Sequence, residues 1–180
     1  MRKGLLLCPI FEPHAGGGGQ YFPFLRTAIL PSCAFLSVDV ITEYHPKRPV
    51  ISIDALGTIY RVLPRRDSKE NKTLIYSALS FVLTYVYLVI IILFLMWKNT
   101  YTDFIFTRFY RKSLYLLLAL VKRIFNTNII CDLRATIPNI NFYRGLEVSD
   151  AIICNSEAVF AQAQTSATLQ HKCTLVKNPI

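Results

Sequence analysis

The sequence predicts an α/β fold: a Rossmann-like parallel sheet with helices on both faces. Three observations carry that reading. Short apolar runs alternate with longer helix-compatible stretches along the whole chain. The strand-like runs, such as LLLCPIF and AIIC, are continuously apolar, as in sheets covered on both sides. Glycine, proline and short polar loops separate them, with no repeat and no low-complexity tract.

Leu5 to Phe11 reads as the first buried strand. Pro9 breaks its apolar run, which is too short for the core of a signal peptide. A loop through Gly19 leads into a helix from Gln20 to Leu30, and Phe35 to Thr42 is a second strand. Pro46 to Pro49 and Gly57 punctuate a long connection to a third strand, Ile59 to Leu63. Pro64 and a charged loop, Arg65 to Lys72, precede a long apolar stretch from Leu74 to Trp97. Then follow a strand (Asp103 to Thr107), a helix (Lys112 to Phe125), a strand (Asn128 to Arg134) and a short helix (Phe142 to Val148). Ala151 to Cys154 is a strand, and Ser156 is placed to cap a helix from Glu157 to Leu169 with Glu157 in its first turn. Cys173 to Lys177 is the last strand.

Leu74 to Trp97 has no charge, proline or glycine, and fifteen of its residues are Leu, Ile, Val or Phe. By length alone it crosses a hydrocarbon core of about 30 Å. Strand-like segments of one sheet lie on both sides of it, however, and a single span would separate them. Basic residues flank both ends about equally and give no orientation. Its first half carries Ser77, Ser80, Thr84 and Tyr87 at helical spacing, whereas Leu88 to Trp97 is apolar all round. The reading favoured over a span is a crossover helix that docks on a bilayer through Leu88, Ile91, Phe94, Leu95 and Trp97.

The 180 residues suit one domain, and the net charge of +9 is unevenly distributed. Fourteen of the twenty lysines and arginines lie between Lys47 and Arg134, around the apolar stretch. That pattern suits an anionic lipid surface. No nucleic-acid motif accompanies it, so nucleic acid is not an expected partner. The five cysteines have no metal-ligand spacing and no CxxC pair, which points to a reducing compartment without disulfides.

Right-handed crossovers place the strand C-terminal ends along one sheet edge, where ligands bind in such folds. The candidate site residues there begin with Gly16, Gly17, Gly18 and Gly19, whose backbone N–H groups precede a helix and suit a phosphate. They match neither a P-loop nor GxGxxG, because no GK[ST] follows and Tyr21 stands where the third glycine belongs. Beside them is His14. Arg108 and Arg134 each end a strand and suit a phosphate or carboxylate, or a salt bridge with Asp132 or Asp103. Asp132, Asn155 and Ser156 complete the edge. No metal site, resident cofactor or catalytic triad is expected.

CPIFEPHAGGGGQ, DFIFTR, NIICDLR and above all SDAIICNSEAVFAQ followed by KCTLVKNPI resemble the N-terminal half of family 4 glycosyltransferases, which have the two-domain GT-B architecture. The resemblance is loose over residues 20–100 and more specific over 148–180, and it points to enzymes of bacterial cell-surface polysaccharide synthesis. It implies an acceptor-side domain over residues 1–177, with residues 178–180 starting the linker to a donor-binding domain absent from these 180 residues. It also implies a retaining, nucleotide-sugar-dependent transfer to a lipid-linked acceptor at the cytoplasmic face of a membrane, inactive without the second half. By the same resemblance Gly16 to Gly19 lie near the donor diphosphate, and His14, Arg108, Asp132, Arg134, Asn155 and Ser156 line the cleft. The strand end where the family often has a histidine reads here Asp132-Leu133-Arg134. The alternative is a non-catalytic, membrane-associated scaffold that recruits a separate catalytic chain.

Overall fold

Leu5, Leu6 and Leu7 are fully buried at the centre of an eight-stranded sheet. The computed structural model describes residues 2–8, 11, 17–64, 74–107, 112–134 and 144–176. The strands are β1 (Arg2–Leu7), β2 (Phe35–Glu43), β3 (Ile51–Asp54), β4 (Gly57–Leu63), β5 (Asp103–Thr107), β6 (Asn128–Leu133), β7 (Ala151–Cys154) and β8 (Cys173–Leu175). Their order is β3-β4-β2-β1-β5-β6-β7-β8, and every pairing is parallel except β3 with β4. This is the α/β, Rossmann-like sheet expected from the sequence.

The helices are α1 (Gly17–Phe24), α2 (Leu30–Ser32), α3 (Leu74–Lys98), α4 (Lys112–Phe125), α5 (Arg144–Val148) and α6 (Glu157–Gln164). Two apolar cores lie on opposite faces of the sheet. One joins Leu88, Ile92, Leu95 and Met96 of α3, Leu117, Leu118 and Val121 of α4, Leu146 of α5 and Val159 of α6 to inward residues of the strands. The other packs Tyr21, Phe22 and Leu25 against Leu6, Val38, Val40 and Ile105.

Several boundaries differ from the sequence reading. β3 was not expected. Its ISID run is short, and the Ala55-Leu56 turn after it lacks the Asn-Gly or Asp-Gly signal of a tight hairpin. Gly57 makes the turn possible, with a φ of 132° that side chains rarely adopt. A Cβ there would meet Asp39 Oδ1 at 2.4 Å and the Val38 backbone at 3.2 Å. Gly57→Ala is therefore expected to cost about 2–4 kcal/mol in urea unfolding. An undiminished midpoint would show that the hairpin shifts freely.

The glycines are a second correction. Gly17, Gly18 and Gly19 form the first turn of α1 rather than a loop. α1 continues into a π-helical turn, Leu25–Ile29, in which Leu30 N–H donates to Leu25 O. Pro31 has no N–H for the Thr27 carbonyl, so the regular ladder breaks there. α6 ends at Gln164 rather than Leu169, because Thr165 Oγ1 donates to Gln162 O at 2.7 Å and competes with the backbone.

The third correction concerns α3. Its side chains are described from Val82 onward, and Leu88 and Leu95, expected on a docking face, are 5% and 4% exposed against the sheet. Ile91 is half-buried, and only Phe94 and Trp97 of the expected set are exposed, at 52% and 77%. Among the described residues no helix is long and apolar enough to cross a membrane. That finding lends the expected membrane role no support.

Candidate functional site

The parallel strands end along one edge, and three of those ends meet in register. Thr107 of β5 is paired with Asp132 of β6, and Leu133 with Cys154 of β7, which puts Asn155 next in line. Asp132 is fully buried. Its Oδ1 accepts a hydrogen bond from the Tyr21 hydroxyl at 2.9 Å, across 111 residues of sequence. Tyr21 belongs to α1, four residues after Gly17, so its backbone lies about one helical turn from the first N–H groups of the helix. Those groups have no intrahelical partner and carry the positive end of the helix dipole.

Arg134 lies against the same tyrosine. Its guanidinium carbon is 3.9 Å from the centroid of the Tyr21 ring and 5.0 Å from that of Phe22. Such stacking holds the planar cation while leaving its in-plane donors oriented. The structure thus brings Asp132 and Arg134 together at Tyr21, with Gly17 to Gly19 in the preceding turn of the same helix. Sequence reading noticed Tyr21 only as a departure from a glycine motif. Its spacing of one turn from the glycines was the available signal.

Burial pushes the Asp132 carboxyl up to about 6, against the opposing pull of Tyr21, Arg134 and Thr107. Burial, with Asp132 beside it, likewise raises the Tyr21 hydroxyl. The Thr107 hydroxyl lies near enough to favour the carboxylate, yet neither Asp132 Oδ2 nor Thr107 Oγ1 completes a well-formed hydrogen bond. Asn155 Oδ1 is a further buried oxygen without a partner. Three unsatisfied oxygens at adjacent strand ends are costly, and they suit a donor-rich ligand.

Ser156 has a structural duty: its side chain accepts from Val159 N–H at 3.4 Å and caps α6, as the sequence implied. Gly16, His14 and Arg108 lie outside the described residues. Asp103, a possible partner for the arginines, is fully buried at the other end of β5 with Arg2, Thr102 and Asn128. Cys8, Cys131 and Cys154 are buried, and burial raises their thiols, that of Cys154 to about 12. They are unreactive packing groups. Among the described residues no cluster of His, Cys, Asp or Glu could hold a metal ion.

No protein-family model and no curated protein matches the chain. Among solved structures, it is similar to a sucrose-phosphate synthase from Thermosynechococcus elongatus, with a TM-score of 0.54 and 13% sequence identity. The match covers 99% of this chain and 90% of that one. The likeness is one of fold, and it agrees with the Rossmann-like α/β sheet read from the sequence.

Proposed function

We propose that this chain is the acceptor-side, N-terminal half of a retaining glycosyltransferase that draws on a nucleotide sugar. The observation that carries the reading is the Tyr21–Asp132 bond, which fixes a glycine-led helix N-terminus beside Arg134 at the ligand-binding edge of the sheet. A helix terminus and an arginine suit a diphosphate, and unsatisfied oxygens suit sugar hydroxyls. No resident cofactor is required, since the nucleotide sugar is a substrate. The donor-binding half is supplied by a second domain or a partner chain.

The acceptor is proposed to be lipid-linked, in cell-surface polysaccharide synthesis, at the cytoplasmic face of a membrane. What supports docking is not the expected stripe but its neighbour. Val86, Ile90, Phe94 and Trp97 of α3 are exposed, and Leu116, Leu120 and Ile124 extend the apolar surface onto α4, which packs beside α3. Lys98 and the exposed Arg123 stand at the ends of the two helices, where anionic lipid headgroups would meet them.

The test is transfer of radiolabelled sugar from UDP- and GDP-hexoses to butanol-extractable lipid. It uses membranes expressing this chain with the donor-binding half encoded downstream or by its partner. Incorporation should fall about tenfold or more in Arg134→Lys, which keeps the charge but loses the planar fork. The 180 residues alone should transfer little or nothing. A folded, membrane-bound pair without transfer from any donor would reject the enzyme and leave the scaffold.

A further inference from the structure

A second feature of the same sheet edge lies on the α3 face, away from Asp132. Between α3 and the ends of β2 and β4 is a groove of about 540 Å³. Tyr44, Val50, Val62, Leu83 and Tyr87 give it an apolar and aromatic lining. Arg61 also lines it, with its guanidinium anchored by Pro49 O and Ser52 Oγ at 3.2 and 2.7 Å. The turn that connects Tyr44 to Val50, both lining residues, carries Lys47 and Arg48; both are exposed beside the groove rather than in its lining. Leu83 and Tyr87 also belong to the exposed apolar side of α3, so the groove opens onto the surface proposed to meet lipid.

We propose that this groove takes the apolar chain of a phosphate-bearing lipid, with the phosphate held at Lys47 and Arg48. An apolar trough with a cationic rim matches a molecule with one oily chain and an anionic head, and it matches neither a free anion nor a neutral oil. The position deepens the proposed function and rests on its lipid-linked acceptor. β2 and β6 are three strand spacings apart, roughly 14 Å. The rim and Asp132 thus share the C-terminal edge of the sheet, on opposite faces.

The probe is farnesyl phosphate, a single short isoprenoid chain with one phosphate, titrated calorimetrically into the 180-residue protein. Saturable one-to-one binding is expected. It should weaken about tenfold or more in Leu83→Glu and in the double variant Lys47→Glu, Arg48→Glu. Leu83 is 60% exposed, so its replacement leaves the core intact. Thr84→Trp, which fills the groove without adding charge, should act in the same direction. Leu36→Ser, 63% exposed at the opposite end of β2 from Tyr44, should leave binding unchanged. Absence of saturable binding, equal binding by the groove variants, or equal affinity for inorganic phosphate or farnesol would overturn the proposal. Because the readout is binding, it is separable from catalysis. Farnesyl phosphate binding without transfer in any assembly rejects the enzyme alone, whereas transfer that survives loss of groove binding rejects the groove alone.

Discussion

Asp132→Asn is expected to stabilise the protein at neutral pH by on the order of 2–3 kcal/mol. The carboxyl is raised to about 6 by burial, so the folded state holds its proton more tightly than the unfolded chain does. For a raised acid, stability is highest below the unfolded value near 3.8, falls as pH climbs to about 6, and is level above. The roughly hundredfold difference in proton affinity corresponds to about 3 kcal/mol. Asparagine still accepts from Tyr21, and its amide can donate toward the unsatisfied Thr107 oxygen. Urea unfolding at pH 4.5, 6 and 7.5 should show the parent losing stability across this range and the variant lacking that component. Parallel pH curves would mean the carboxyl is better solvated than the structure implies. A buried carboxylate where an amide would serve packing better is what the proposed site requires.

Replacing Ile90, Phe94 and Trp97 together by serine is expected to reduce co-sedimentation with phosphatidylglycerol-containing vesicles by more than about tenfold. All three are exposed, so folding should be spared. Trp97 is the chain's single tryptophan, and in the parent protein its emission should shift to the blue as vesicles are added. High salt should weaken binding by screening Lys98 and Arg123. Equal sedimentation of parent and variant, or an unmoved tryptophan emission, would remove the bilayer from the proposal. Substituting Leu88 or Leu95 is a different experiment, because both belong to the core.

Much of the fold was legible in the residues. β5, α4 and β7 have the expected bounds, because polar residues such as Thr102, Asn126 and Asp150 mark where the apolar runs stop. The rotation of α3 was not legible. From Leu88 to Trp97 every residue is apolar, so no polar stripe reveals which side meets the sheet, and the docking residues were partly misassigned. β3 was missed because four residues and an unmarked turn give too little pattern. At the candidate site, the strand ends put Asp132 and Arg134 on one edge, but the bond from Tyr21 to Asp132 joins positions 111 residues apart. A local pattern carries no information about such a partner.

The central position of β1 has a consequence for the newly made chain. β1 pairs on one side with residues of β2, complete at Glu43, and on the other with β5, complete only at Thr107. At about 5–20 residues per second, roughly 3–13 s of synthesis separate the two pairings. In that interval α3 is synthesised, while β5 and the three strands beyond it, half of the sheet, are not yet made. The most apolar helix is thus made after the half of the sheet that carries Leu5, Leu7, Ile41 and Leu63 and before the half that completes its core.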